Sequence, residues 1–211
     1  MSFTNVKTNH VDFEGVRYQL DLSFRIVLLY FQLIKDEGLT PEERINLAVI
    51  ALVNSDTSNL DLVAKSKLLD TIFHDKLYTE REKRREKLFK HSKPSFSFDD
   101  DEDLIKAGFQ QQYGIDLDTT NLSWSKFNAM LDGLTDDTQF RKVTTYRTIK
   151  LNDDMSDEQK ELIKKMKLLY SLDNVEHEGK LTKSELDLEL AGLDMPHKAL
   201  RMQELKKTGK I

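Results

Sequence analysis

Apolar and polar positions alternate at the start of the chain and then shift to a helical period. His10-Val11-Asp12-Phe13 and Val16-Arg17-Tyr18-Gln19-Leu20 flank Glu14-Gly15. That pattern predicts two short strands joined by a tight turn, with Gly15 at positive φ. Two strands alone are marginal, so the hairpin is expected to lie on the helices that follow. Phe24 to Lys35 is apolar nearly all round, which predicts a central buried helix stopped by Asp36-Glu37-Gly38, with Gly38 at the C′ position. Thr40-Pro41-Glu42-Glu43 presents a cap, a first-turn proline and a capping-box glutamate in order, opening a helix to about Val53. Ser58 is placed to cap a third helix through Leu62, Leu69, Ile72 and Phe73.

The pattern then breaks. Glu80 to Lys93 holds seven Lys or Arg and three Glu, with Leu88 and Phe89 its two apolar residues, and Lys93-Pro94-Ser95 interrupts any helix. Beyond Phe96-Ser97-Phe98, the run Asp99 to Asp103 suits a helix N-terminus, where the macrodipole favours negative charge. Ile105, Phe109 and Tyr113 follow at four-residue spacing, and Gly114 ends that helix. Trp124, Phe127, Leu131 and Leu134 form a core-facing stripe with Gly133 near its end. Phe140, Val143 and Ile149 predict a further short helix. Ser156-x-x-Gln159 is a second capping box, opening a helix with Leu162, Met166, Leu169 and Tyr170 on one side. The organisation expected is mainly α: a small N-terminal β-hairpin with a helical lobe over residues 1–90, a charged linker over 91–98, and a second helical lobe over 99–170. A helical tail over 171–211 is expected to be flexible or dependent on a partner.

Composition narrows the classes. Among 211 residues there are 8 Gly, 3 Pro and no Cys, so disulfides, thiolate zinc sites and thiol catalysis are excluded. A net charge of -5 argues against a globally basic nucleic-acid binder. Phe24 to Ile34, the longest dense apolar stretch, is about half of what a membrane span needs. Met1 to Asn9 is polar and has no signal-peptide core, so an intracellular protein is expected.

Chemistry-bearing patterns are sparse. Gly108 and Gly114 form no phosphate loop. His10, His74, His91, His177 and His197 are scattered, none four residues from another, and His74 reads as a partly buried helix residue. No nucleophile elbow or kinase signature occurs, so no enzyme, cofactor or catalytic residue is expected. Asn174 to Glu185 resembles a calcium loop, with oxygen ligands available from Asn174, Glu176, Glu178 and Glu185 and Gly179 at the turn. Asn174 brings no charge where Asp is wanted, and the glutamates are long for the tight turn. Thr182-x-x-Glu185 is also a plain capping box. The basic stretch Arg81 to Lys87 reads as a solvated helix with local Glu–Lys/Arg pairs, or as a partner for Asp99 to Asp103. Trp124, Phe127, Phe109, Tyr113 and Phe140 read as one aromatic core cluster.

Taken in order, the motifs resemble a phage family, the bacteriophage gene product fifteen family. Tyr18-Gln-Leu-Asp-Leu-Ser-Phe24 and Leu39-Thr-Pro-Glu-Glu-Arg44 match its opening. Phe96-Ser-Phe-Asp-Asp-Asp101, Ile105-Lys-Ala-Gly-Phe109, Tyr113-Gly-Ile-Asp-Leu117, Leu122-Ser-Trp-Ser-Lys-Phe127, Leu131-Asp-Gly-Leu134, Asp137-Thr-Gln-Phe140 and Arg147 match its second half. The likeness spans roughly Val11 to Tyr170. Its shared positions, Trp124, Phe127, Leu131, Gly133, Phe140 and Arg147, read as structural, and the partner-binding residues are not identified. The resemblance implies a product of tailed phages or prophages of Gram-positive bacteria, encoded between the major tail protein and the tape measure protein. It implies a siphovirus-type tail assembly chaperone that binds the tape measure protein and/or tail-tube subunits in the host bacterial cytoplasm and is absent from the mature virion. A neighbouring tail chaperone and a homo-oligomer are further expected partners, whereas membrane and nucleic acid are not. The alternatives are a minor tail component (completion or terminator protein), or a small nucleic-acid- or calcium-responsive binding module.

Overall fold

The hairpin forms where alternation places it: β1 (His10–Phe13) pairs antiparallel with β2 (Val16–Gln19), Val11 opposite Tyr18 and Asp12 opposite Arg17. Both turn residues take positive φ, Glu14 at 51° and Gly15 at 79°, the backbone that matches the twist of a two-residue hairpin. Val11 and Tyr18 face inward and are buried, while Arg17 pairs with Asp12 at 2.8 Å on the exposed side. That ion pair holds the Asp12 carboxyl below its usual range, chiefly through the hydrogen bond from Arg17.

This is a computed structural model, and it describes residues 8–78, 83–84, 94–172, 201–202 and 205–206. Seven α-helices follow the hairpin among the described residues: α1 (Phe24–Lys35), α2 (Pro41–Leu52), α3 (Leu62–Ile72), α4 (Glu102–Tyr113), α5 (Trp124–Asp132), α6 (Gln139–Thr148) and α7 (Asp157–Leu169). The fold is mainly helical with a small two-stranded sheet.

Local chemistry sets most helix ends. Thr40 and Glu43 form the reciprocal capping box around Pro41, and Ser156 and Gln159 form the second. Two end signals behave differently. Asp61 rather than Ser58 caps α3, its carboxylate accepting from the Ala64 N–H, while the Ser58 N–H donates to Asp56 in the preceding turn. Carboxylates cap as well as hydroxyls do and favour the positive helix end. Gly38 is not a left-handed cap: Asp36 ends α1, and its side chain accepts the Gly38 N–H at 2.8 Å. That Asx turn satisfies the chain exit without a positive φ. After α3 the chain widens into one π turn, Phe73–Leu77, closed by Tyr78 N–H to the Phe73 carbonyl at 2.7 Å. His74 sits in that turn and is exposed, against the partly buried expectation, because the wider turn leaves Leu77 as its inward side chain.

The chain divides into two compact units, one of Met1–Ser92 with Phe109–Leu134, the other of Lys93–Gly108 with Thr135–Ile211. These units do not follow the sequential lobes 1–90 and 99–170. The cause is a backbone clasp: Phe24 N–H donates to the Leu122 carbonyl and Trp124 N–H to that of Leu22, and Ser23 and Ser123 form a bridge. Helix α5 is thereby tied beside the start of α1. Nor do the described residues of the expected 91–98 linker stand free. Ser95 accepts a hydrogen bond from Arg147 and Phe96 packs on Phe140 at 5.5 Å.

In the first unit α1, α2 and α3 pack in sequence, and β1 rests on α3. Backbone bonds also join β2 to the end of α2, Asn54 N–H to the Gln19 carbonyl and Asp21 N–H to that of Leu52. Helix α1 is not buried all round. Phe24, Val27 and Tyr30 are buried, but Leu29 and Ile34 are exposed, because α2 and α5 pack against it and leave one side uncovered. In the second unit α6 packs on α7.

Candidate functional site

The family-like positions fall into both units. Helix α5 opens at Ser123, whose hydroxyl accepts the Lys126 N–H, and its 3-4 spacing carries Trp124, Phe127 and Leu131 onto one buried face. Phe127 is the centre of an aromatic stack: Phe24 lies 4.8 Å away, Phe109 5.3 Å and Trp124 5.8 Å, all within 19° of parallel. The Trp124 ring also meets Phe31 edge-on at 5.7 Å. Tyr113 belongs to the same unit, against Phe109 at 5.7 Å, with its hydroxyl donating to the Met130 carbonyl at 2.9 Å. Phe140 does not join this cluster. It packs on Phe96 in the other unit. The expected single aromatic cluster is therefore two, since 134 and 135 fall in different units. Filled by its own rings, the first cluster is packing rather than a ligand site.

Gly133 has a specific reason to be glycine. A Cβ there would stand 2.8 Å from the Tyr113 hydroxyl oxygen and 3.3 Å from the Ala129 carbonyl oxygen. Its own carbonyl accepts from the Gln112 side chain at 2.9 Å. Glycine lets the end of α5 approach the end of α4. Nearby, the Arg25 guanidinium donates to the carbonyls of Leu117 and Asp118, which holds the α4–α5 connection against α1.

Arg147, near the end of α6, organises the second unit. Its guanidinium meets Asp101 through two bonds, 2.6 Å and 2.8 Å, and donates further to the carbonyls of Ser95 at 3.1 Å and Tyr170 at 2.5 Å. The side chains are 10% and 1% exposed for Arg147 and Asp101. A planar cation with a fixed fork of donors suits this junction in a way lysine does not. Asp101 also accepts the Ser97 N–H. Four stretches are thus pinned: the 95–97 entry, the start of α4, α6, and the exit of α7, where Tyr170 also stacks beside Tyr146. The run Asp99 to Asp103 is expected at a helix N-terminus or as a partner for the basic stretch, and neither expectation singles out Asp101. Its signal was its phase, four residues before Ile105 and eight before Phe109, on the buried side of the same helical stripe.

None of this is a catalytic arrangement. The Tyr30 phenol is pushed above its ordinary value, first by burial and then by the charge of Asp70, which keeps it neutral. Among the described residues no three His, Asp or Glu side chains come together as a metal set, and no helix is long and apolar enough to cross a membrane. The calcium-like loop, Asn174, Glu176, Glu178 and Glu185, lies outside the described residues. So does the basic stretch, apart from Lys83 and Arg84, with Lys83 placing its ammonium 5.9 Å over the Tyr78 ring.

What stands out is apolar surface on helix faces. On α2, Leu47 and Ile50 are spaced i, i+3 on the side away from buried Ala48, Val49 and Leu52, and Ile50 is 72% exposed. Val63, at the start of α3, is 62% exposed. On α7 the expected stripe is present but uncovered, with Leu162 52% and Leu169 67% exposed, while Ile163 is the buried residue. An amphipathic stripe left open is a feature of surfaces that receive another helix.

Set beside known proteins, residues 5–172 match the family model described as Bacteriophage Gp15 protein. No curated protein and no solved structure matches the chain.

Proposed function

The chain belongs to the Bacteriophage Gp15 protein family, and on that footing we propose that it is a non-enzymatic tail assembly chaperone, binding helical segments of the tape measure protein and tail-tube subunits during tail morphogenesis. The observation that carries this reading is the pairing of phage family membership with open apolar helix faces, above all Leu47 and Ile50 on α2. A tape measure is long, helical and amphipathic. Until tube subunits enclose it, it needs its apolar side shielded by weak contacts repeated along its length. A face of two or three aliphatic side chains on a rigid helix supplies such a contact and releases it readily.

The experiment is binding of a labelled amphipathic peptide from the tape measure protein of the same phage, followed by fluorescence anisotropy. Leu47→Asp with Ile50→Asp should weaken it at least about tenfold without lowering the melting temperature, since neither side chain is in the core. Unchanged binding would remove α2 as the client face, and absence of binding by the unaltered chain would remove the chaperone reading. A purified virion that contains the chain in stoichiometric amount would instead favour a structural tail component.

A further inference from the structure

The open apolar face of α2 ends in negative charge on both sides. Resting on the reading of that face as the client contact, we infer that its occupant is a cationic amphipathic helix, with an aliphatic pair one turn apart and a Lys or Arg one turn outside the pair at each end. Three observations point to that chemistry.

The first is the order of side chains along the face. Glu43, Leu47 and Ile50 stand at i, i+4, i+7 on α2, and all three are exposed. Beyond Ile50 the chain leaves the helix through the turn that holds Asp56 and Asp61, both exposed. The aliphatic centre thus lies between carboxylates, Glu42 and Glu43 before it and Asp56 and Asp61 after it.

The second is the distribution of cations. No Lys, Arg or His occurs from Ile45 to Ala64. The cations that bound this stretch, Arg44 and Lys65, are half-buried. Their donors are directed to the Leu39 carbonyl at 3.0 Å and to the Asn46 side chain at 2.8 Å. On α3, Lys67 and Asp70 are both exposed and of opposite sign, so the neighbourhood stays negative.

The third is that the acids are fixed and ionised. The Thr40 N–H holds the Glu43 carboxyl below its ordinary range, and the Ser58 N–H does the same for Asp56. An uncharged aliphatic stripe would satisfy Leu47 and Ile50 alone. Acidic flanks would set like charges together at both ends, whereas basic flanks are attracted at both. A client spaced as cation, aliphatic, aliphatic, cation at i, i+4, i+7, i+11 reads the same in either direction. Such a contact can recur along a long helix whichever way the helix runs.

Three helical peptides test the inference with the full-length chain, by fluorescence anisotropy. All carry Leu at i+4 and i+7, with Lys, Gln or Glu at i and i+11. At low salt the Lys peptide should bind at least about tenfold more tightly than the Glu peptide, with the Gln peptide between them. The ratio should fall toward one near 1 M salt, where charges beyond about 3 Å are screened. Glu43→Gln with Asp56→Asn removes one charge from each end, while Gln still suits the capping box and Asn the Asx turn. In that variant the Lys-to-Glu ratio should drop to about threefold or less. Equal binding of the three peptides, lost in Leu47→Asp with Ile50→Asp, would overturn the inference and leave α2 as the client face. Discrimination that survives Glu43→Gln with Asp56→Asn would also overturn it, because the charge that selects would then lie elsewhere. No binding by any peptide would remove both the inference and the α2 client face. A chain that dimerises through Leu47 and Ile50 would assign the face to a second copy and overturn it too.

Discussion

Replacing Arg147 with methionine isolates the strongest energetic statement the structure makes. Arg147→Met keeps much of the aliphatic volume but removes the cation, the two bonds to Asp101 and the donors to the Ser95 and Tyr170 carbonyls. Asp101, 1% exposed, then keeps the Ser97 N–H as a donor but has lost both guanidinium bonds. Breaking a buried pair by removing one partner costs about 3–5 kcal/mol, most of it the uncompensated charge. That is a large fraction of the stability of an ordinary domain. Removing both charges leaves no orphan: Asp101→Leu with Arg147→Met should cost less than the sum of the single changes by about 2–3 kcal/mol. Urea unfolding followed by far-UV circular dichroism gives the free energies, and amide exchange locates the loss. Exchange should quicken at α6 and at the start of α4, both in the second unit. A cost below about 1 kcal/mol for Arg147→Met, or additive costs in the double variant, would refute a buried, mutually dependent pair.

Three further outcomes follow from local geometry. Glu14→Gly, at a φ of 51° beside Gly15, should stabilise the protein by about 0.5–1 kcal/mol, read as a higher melting temperature; a lower one would show that the turn is not strained. Gly133→Ala should destabilise by about 1–3 kcal/mol, and the penalty should shrink in a Tyr113→Phe background that removes the oxygen 2.8 Å from the new methyl. An equal penalty in both backgrounds would place the clash at the Ala129 carbonyl. The Glu43 carboxyl lies below its ordinary value of 4.5, chiefly because the Thr40 N–H donates to it. Its folded-state value is depressed, so its contribution is full above 4.5 and is lost as pH falls through the lower folded value. Thr40→Ala should cost about 1 kcal/mol at neutral pH, and Glu43→Gln, which removes the titrating carboxyl that the Thr40 N–H serves, should flatten that acid dependence in a series of melts, whereas an unchanged slope in Glu43→Gln would exclude the capping box as its source.

Features set by a few neighbouring residues were legible in the sequence. The hairpin rests on alternation around Glu14-Gly15, and the two capping boxes on hydroxyl and carboxyl or amide groups three residues apart. Trp124, Phe127 and Leu131 fall on one face because the helical period puts them there. Long-range arrangement was not legible. Nothing in the order of motifs announced that 109–134 would join the N-terminal unit, because the clasp of Leu22 and Phe24 with Leu122 and Trp124 is made by backbone groups that every residue carries. Asp101 and Arg147 are 46 residues apart, and a lone acid within Asp99 to Asp103 looks solvated until its phase with Ile105 and Phe109 is noticed. Hydrophobicity alone also overstated the burial of α1. Burial depends on how many sides neighbours cover, and α1 has one side open.

The central claim is tested most directly by co-expressing the chain with the tape measure protein of the same phage, then fractionating the lysate and recovering the chain by affinity capture. The account predicts that the tape measure moves from the insoluble to the soluble fraction and is captured with the chain, and that Leu47→Asp with Ile50→Asp abolishes both effects. A tape measure that remains insoluble and uncaptured beside a soluble, folded chain would contradict it.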